Sequence, residues 1–219
     1  MSMIISVLNP KGGSGKTTLS TNLARAFHEK GERVLVVDTD PQGSARDWHA
    51  AQEQNPVDVI ALDRPENLKT LDTVAKSYDV VLIDGTAKHT DSLAAAIKPA
   101  DLVLIPMKPS PYDLWSVSDL VSLIKTRQEI TDGKPLAAFV ITQAVSGTTL
   151  RKDIVTALGD YGFPTLETPI TQRQIYPQTA AEGLTVIDSM NAEAKAEVQK
   201  LAGEIILLMH NEEGKKLWL

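Results

Sequence analysis

The chain of 219 residues predicts a doubly wound α/β domain, a mostly parallel sheet with helices on both faces, and three observations carry that prediction. Short apolar runs rich in β-branched residues recur along it, longer segments of helical period separate them, and a glycine-rich loop follows the first run. Runs that are apolar at every position suit central parallel strands, because such strands are buried on both faces.

The first run covers residues 4–8, Ile-Ile-Ser-Val-Leu. Leu19, Leu23, Ala26 and Phe27 then repeat at helical spacing until Gly31 stops the helix. With a second run at 34–37 they complete a βαβ unit. Runs at 57–61, 80–83, 102–105 and 137–141 read as further strands, and segments 47–54, 66–77, 92–100, 114–129 and 150–161 as crossover helices. The proline-rich piece 106–111 reads as a strand-to-helix loop. A last helix over 191–210 places Ala194, Val198, Leu201, Ile205 and Leu208 on one stripe, with Lys195 and Lys200 flanking its outer face. No repeat, Gly/Ser linker or block of like charge interrupts the chain, so residues 1–219 are expected to form one domain. In such a sheet, ligands bind at the carboxyl ends of the strands.

Composition removes several classes of function. With no cysteine there is no disulfide, thiolate-held metal or cluster, or thiol nucleophile. The balance of 22 Lys and Arg against 28 Asp and Glu, a net charge of −6, speaks against a constitutively basic nucleic-acid binder, though not against a local basic patch. His28, His49, His89 and His210 are scattered without metal-ligand spacing. No apolar run is long enough for a membrane span and no leader pattern opens the chain, so a cytoplasmic location is expected.

The chemistry is concentrated after the first strand, in Lys11-Gly12-Gly13-Ser14-Gly15-Lys16-Thr17-Thr18. Glycines let backbone N–H groups turn inward around phosphate oxygens, and the helix that follows adds the positive end of its dipole. In a loop of this kind Lys16 reaches the β- and γ-phosphates and the Thr17 hydroxyl takes Mg²⁺, which points to a P-loop NTPase. The pattern is a variant, because Pro10 stands where the first glycine of the strict motif belongs and a lysine follows it. The second strand ends in Asp38-Thr39-Asp40-Pro41-Gln42-Gly43, which brings two carboxylates beside the loop; the plain alternative for them is an Asx turn closed by Asp-Pro. The fourth ends at Asp84, the expected second magnesium-organising carboxylate.

In this order and spacing, and together with the Pro106–Asp113 loop, the three motifs resemble the ParA/MinD family of deviant Walker-A ATPases, and among them small DNA-partition ATPases. That resemblance implies ATP and Mg²⁺ as cofactors and an ATP-dependent homodimer in which Lys11 of one subunit reaches the phosphates held by the other. It implies catalytic roles for Lys11, Lys16 and Asp40, with Asp40 positioning the hydrolytic water. Nucleotide binding would fall to Lys11, Gly12, Gly13, Ser14, Gly15, Lys16, Thr17 and Thr18, and magnesium to Thr17, Asp38 and Asp84. Where many relatives carry an Asp-x-Pro-Pro turn, this chain reads Asp84-Gly85-Thr86-Ala87. The phosphate loop begins about ten residues in, so no N-terminal helix-turn-helix domain and no operator-specific repression are expected.

The same resemblance implies non-specific DNA binding by the ATP dimer, association with the nucleoid in that state, and a ParB-like centromere-binding partner that stimulates hydrolysis. Arg173, Lys195 and Lys200 are the candidate DNA contacts, and for each the plain alternative is a solvated surface charge. One competing reading is a MinD-like positioning ATPase held on the membrane by the C-terminal tail. Gly214 and the acidic pair Glu212 and Glu213 interrupt that tail, so no stable anchor is expected. Another is a metabolic kinase or synthetase of the same fold.

Overall fold

The computed structural model describes residues 2–86, 90–145 and 150–213. Its chain order is β1 (Met3–Val7), α1 (Lys16–Glu29), β2 (Val34–Asp38), α2 (Ser44–Ala50), β3 (Asp58–Ala61), α3 (Leu71–Val74) and β4 (Val80–Asp84). There follow α4 (Thr90–Ile97), β5 (Leu102–Met107), α5 (Pro111–Ser116), α6 (Ser118–Glu129) and β6 (Leu136–Ala144). The chain closes with α7 (Leu150–Leu158), β7 (Ile170–Thr171), α8 (Ile175–Ala181) and α9 (Ala192–Glu213). The seven strands form one sheet in the order β3-β2-β4-β1-β5-β6-β7, and every strand pair in it is parallel.

The apolar runs behave as expected of strands covered on both sides. Successive side chains point to opposite faces, so Val34 and Val36 enter one core while Leu35 and Val37 enter the other. Val80 and Leu82 alternate in the same way with Val81 and Ile83, and Leu102 and Leu104 with Val103 and Ile105. The first core is closed by Leu19, Leu23, Ala26 and Phe27 of α1 and by Ala194, Val198, Leu201 and Ile205 of α9, and the second by α4, α6 and α7. Ser6, the one polar residue inside β1, is fully buried and donates its hydroxyl to the Ala96 carbonyl at 2.7 Å.

Several elements depart from the sequence reading. The single helix expected to end at Glu129 is two helices that meet at Val117, a fully buried residue with φ −98°. Segment 66–77 is a 3₁₀ turn, one α-turn and a second 3₁₀ turn. The helix expected over 47–54 begins at Ser44, because Gly43 takes a left-handed φ of 74° and the Asp38 carboxylate accepts from the Arg46 N–H. β3 is a half-exposed edge strand, and the two-residue β7 and the short α8 were not expected at all. Lys200 is exposed as expected, but Lys195 does not flank an outer face: its ammonium is 2.9 Å from Glu29 Oε1 and donates to the Ile187 carbonyl.

Candidate active site

The phosphate loop is held by contacts to the ends of β5 and β6, which lie on the same side of β1. Asn9 donates its amide to the Pro106 carbonyl at 2.7 Å and accepts the Lys11 N–H at 2.7 Å, which ties the loop entry to the end of β5. From β6, Thr142 donates to the Ser14 carbonyl at 2.7 Å and Gln143 to the Gly13 carbonyl at 2.9 Å. With its carbonyls drawn outward, the loop turns its N–H groups the other way. Among the described residues, the N–H groups of Gly12, Gly13, Ser14 and Gly15 meet no protein acceptor. Gly13 and Gly15 reach this path through φ values of +70° and +91°. The Ser14 hydroxyl is likewise buried with no partner. Orphaned donors at the start of a 14-residue helix form a concave cradle for an anion.

Two lysines lie against this cradle. Lys16 is buried and donates its ammonium to the Lys11 carbonyl at 3.2 Å. Burial pushes its pKa down, while the charges of Asp84 and Asp40 work to raise it. Lys11 forms an ion pair with Asp113 of α5, 2.7 Å from Nζ to Oδ2; the other carboxylate oxygen of Asp113 is buried without a partner. Thr18 is an exposed residue of the first turn of α1.

Parallel pairing of β2 and β4 puts Asp38 directly beside Asp84. Asp84 accepts from the Thr17 hydroxyl at 2.7 Å and from the Ser20 hydroxyl at 3.0 Å. Burial pushes its carboxyl up to about 7 and the Asp38 charge adds to this, against the opposing pull of Thr17, Ser20 and Lys16. Asp38 is fully buried, and its oxygens accept the N–H groups of Asp40 at 3.0 Å and Arg46 at 3.1 Å, with the Arg46 guanidinium 3.5 Å away. Asp40 accepts the Gln42 N–H at 2.9 Å, so the Asx turn is present, and its charge still reaches Lys16.

Thr17, Asp84 and Asp38 together suit Mg²⁺, which takes one or two carboxylates and completes its shell with water and substrate phosphates. No group of three or more His, Cys, Asp or Glu residues able to hold a metal occurs among the described residues, so a closed protein cage of that kind is absent there.

The Asp84-Gly85-Thr86 departure has a structural counterpart. The Gly85 N–H donates to the Val7 carbonyl, and a Cβ at Gly85 would lie 2.2 Å from Leu8 Cδ2. The Thr86 N–H, which a proline would lack, donates to the Thr39 hydroxyl at 3.2 Å, and Thr39 in turn donates to the Asp84 carbonyl at 2.9 Å. The β4 exit is thereby tied to the Asp38–Asp40 turn. Ala87 and the tail residues 214–219, on which the membrane reading turns, lie outside the described residues.

The candidate DNA residues do not gather at this site. Arg173 is bound by Glu193 and Glu197, each at 2.8 Å, and Lys195 by Glu29. Ser20, Arg46, Thr142 and Gln143 escaped the sequence reading, as did the pairing of Asp113 with Lys11. Only Ser20 carried a usable signal, standing one helical turn, four positions, after Lys16 in α1.

The model of the CobQ/CobB/MinD/ParA nucleotide binding domain matches residues 5–186. The chain belongs to this family. Among ParA/MinD relatives, it is 29% identical over 208 residues to the maintenance of carboxysome distribution protein A of Halothiobacillus neapolitanus, covering 92% of this chain and 95% of that one. It is 30% identical over 179 residues to the protein ParA of Rhizobium radiobacter, covering 79% and 80%. Among solved structures, the septum site-determining protein MinD from Pyrococcus horikoshii OT3, complexed with Mg-ADP, shares the fold at a TM-score of 0.78 and 19% identity, over 99% of this chain and all of that one. Members of the ParA/MinD family are P-loop nucleotide-binding proteins that form ATP-dependent dimers.

Proposed function

We propose that this chain, acting as a single ATPase domain, is a Mg²⁺-dependent ATPase that pairs with a second copy of itself when ATP is bound and positions a cargo on DNA. The observation that carries this reading is the cradle itself: four loop N–H groups and the buried Ser14 hydroxyl without protein acceptors among the described residues, beside Lys16, with the Thr17–Asp84 pair at its foot. Lys16 and the N–H groups of Gly12 to Thr18 bind the phosphates, and Thr17, Asp38 and Asp84 hold the magnesium, which when bound screens phosphate charge. Asp40, fixed by its Asx turn, orients the attacking water. Lys11 leaves Asp113 to meet the phosphates of the second copy.

In the DNA-bound state the dimer is nucleoid-associated, and a ParB-like partner triggers release by stimulating hydrolysis. Similarity to both a ParA and a carboxysome-distribution protein supports a cargo-positioning ATPase, and leaves DNA and a protein compartment as the two cargo classes. Among the described residues no helix is long and apolar enough to cross a membrane.

The test combines light scattering on a sizing column with phosphate release, each with ATP, ADP and no nucleotide. Dimers are expected with ATP alone. Lys16→Ala should lose nucleotide binding, Lys11→Ala should bind ATP but stay monomeric, and Asp40→Ala should dimerise without turnover. An oligomeric state indifferent to nucleotide would overturn the reading.

A further inference from the structure

Three ammonium groups approach the phosphate loop, and two of them have acceptors in the protein: Lys11 has Asp113, and Lys16 has the Lys11 carbonyl. The third belongs to Lys108, the first residue after β5. A Cβ placed on Gly13 would lie 3.6 Å from Lys108 Nζ, ordinary contact distance, so this ammonium stands directly over the glycine whose N–H group is among the orphaned donors. The Lys108 side chain is half-buried and has no hydrogen-bond or ion-pair partner among the described residues. Its backbone is pinned, because Asn9 donates to the carbonyl of Pro106 and to Met107 Sδ, and the Lys108 carbonyl accepts the Ser110 N–H at 2.8 Å.

A half-buried ammonium beside Gly13, in a loop whose N–H donors and buried Ser14 hydroxyl have no protein acceptor among the described residues, is an arrangement that suits an anion. We infer that Lys108 is a further phosphate-binding residue, adding a third positive charge to the cradle from the β5 side and contacting the phosphate chain of the bound nucleotide. The inference rests on the nucleotide reading above. Its origin differs from that of Lys16, because the charge arrives from the end of β5, a strand separate from the loop and its helix. A charge-assisted hydrogen bond of this kind, in a partly open site, corresponds to about tenfold in affinity.

The test is equilibrium titration of the full chain with a fluorescent ATP analogue and Mg²⁺ at low and high NaCl, for the unsubstituted chain, Lys108→Gln and Lys108→Arg. Lys108→Gln is expected to bind about tenfold more weakly at low salt and to show a shallower salt dependence, since one screened contact is gone. Lys108→Arg should stay near the unsubstituted chain. Unchanged affinity in Lys108→Gln would overturn the assignment, and so would equal weakening in Lys108→Arg, which would trace the loss to shape instead of charge. Failure of the unsubstituted chain to bind any nucleotide would overturn the nucleotide reading itself, and the role of Lys108 with it.

Discussion

Asp84 concentrates the electrostatics of the site in one side chain. Its folded-state carboxyl, raised to about 7, holds a proton that the unfolded chain releases near 3.8. Between about pH 4 and pH 7 the folded state therefore binds more protons than the unfolded one, and the stability of the nucleotide-free chain falls as pH rises through that window. Urea unfolding at pH 5 and pH 7.5 should show this decline in the unsubstituted chain and a flatter profile in Asp84→Asn; parallel profiles would contradict it. Magnesium needs the ionised carboxylate, so loading the site below pH 7 should release a proton. The places of Lys16 and Thr17 at the loop were legible because a motif prints them side by side. The pairing of Asp113 with Lys11 was not, since the two stand 102 positions apart and only the fold brings them together.

At the scale of elements, the buried strands could be read because apolarity on both faces leaves a continuous run. The misread pieces are those where tertiary contacts override local pattern. Helical spacing continues through Val117, yet the chain bends there, so that α5 can turn Asp113 toward the loop while α6 covers the sheet. β7 has two residues, too few for any period to show, and exists because Thr142 and Ala144 offer it a partner. The exit of β4 is constrained by steric contact more than by pattern. Replacing Gly85 with Ala would set a methyl 2.2 Å from Leu8 Cδ2 and 3.0 Å from the Val7 carbonyl. A loss of about 1–3 kcal/mol is expected in chemical denaturation. An unaltered midpoint would mean that β1 and β4 separate at this point more easily than their packing indicates.

For the whole molecule, a net charge of −6 has to be reconciled with the proposed attachment to DNA. Arg173 and Lys195 reach a phosphate only by leaving Glu193, Glu197 and Glu29, whereas Lys200 is exposed. DNA affinity with ATP, measured across a salt series, should therefore respond more to Lys200→Ala than to Arg173→Ala. With two copies of the lysine in the dimer, Lys200→Ala should lower the log–log salt slope by about 2, near 0.9 for each phosphate released. No change in slope would remove Lys200 from the DNA surface.

The side-by-side carboxylates of β2 and β4 carry one more consequence, for assembly of the sheet. Where one face of a strand is wet, a slip of one residue exposes its apolar side chains and is rejected. Here both faces are oily, and a slipped β2 would find a hydrophobic bed on either side. What tells the correct alignment from its neighbours is the polar punctuation: Asp38 and Asp84 ending level with each other, and Ser6 opposite the one carbonyl it can satisfy. A misaligned strand would drag a carboxylate into hydrocarbon. The acids proposed to hold magnesium thus also proofread the pairing of the strands that present them.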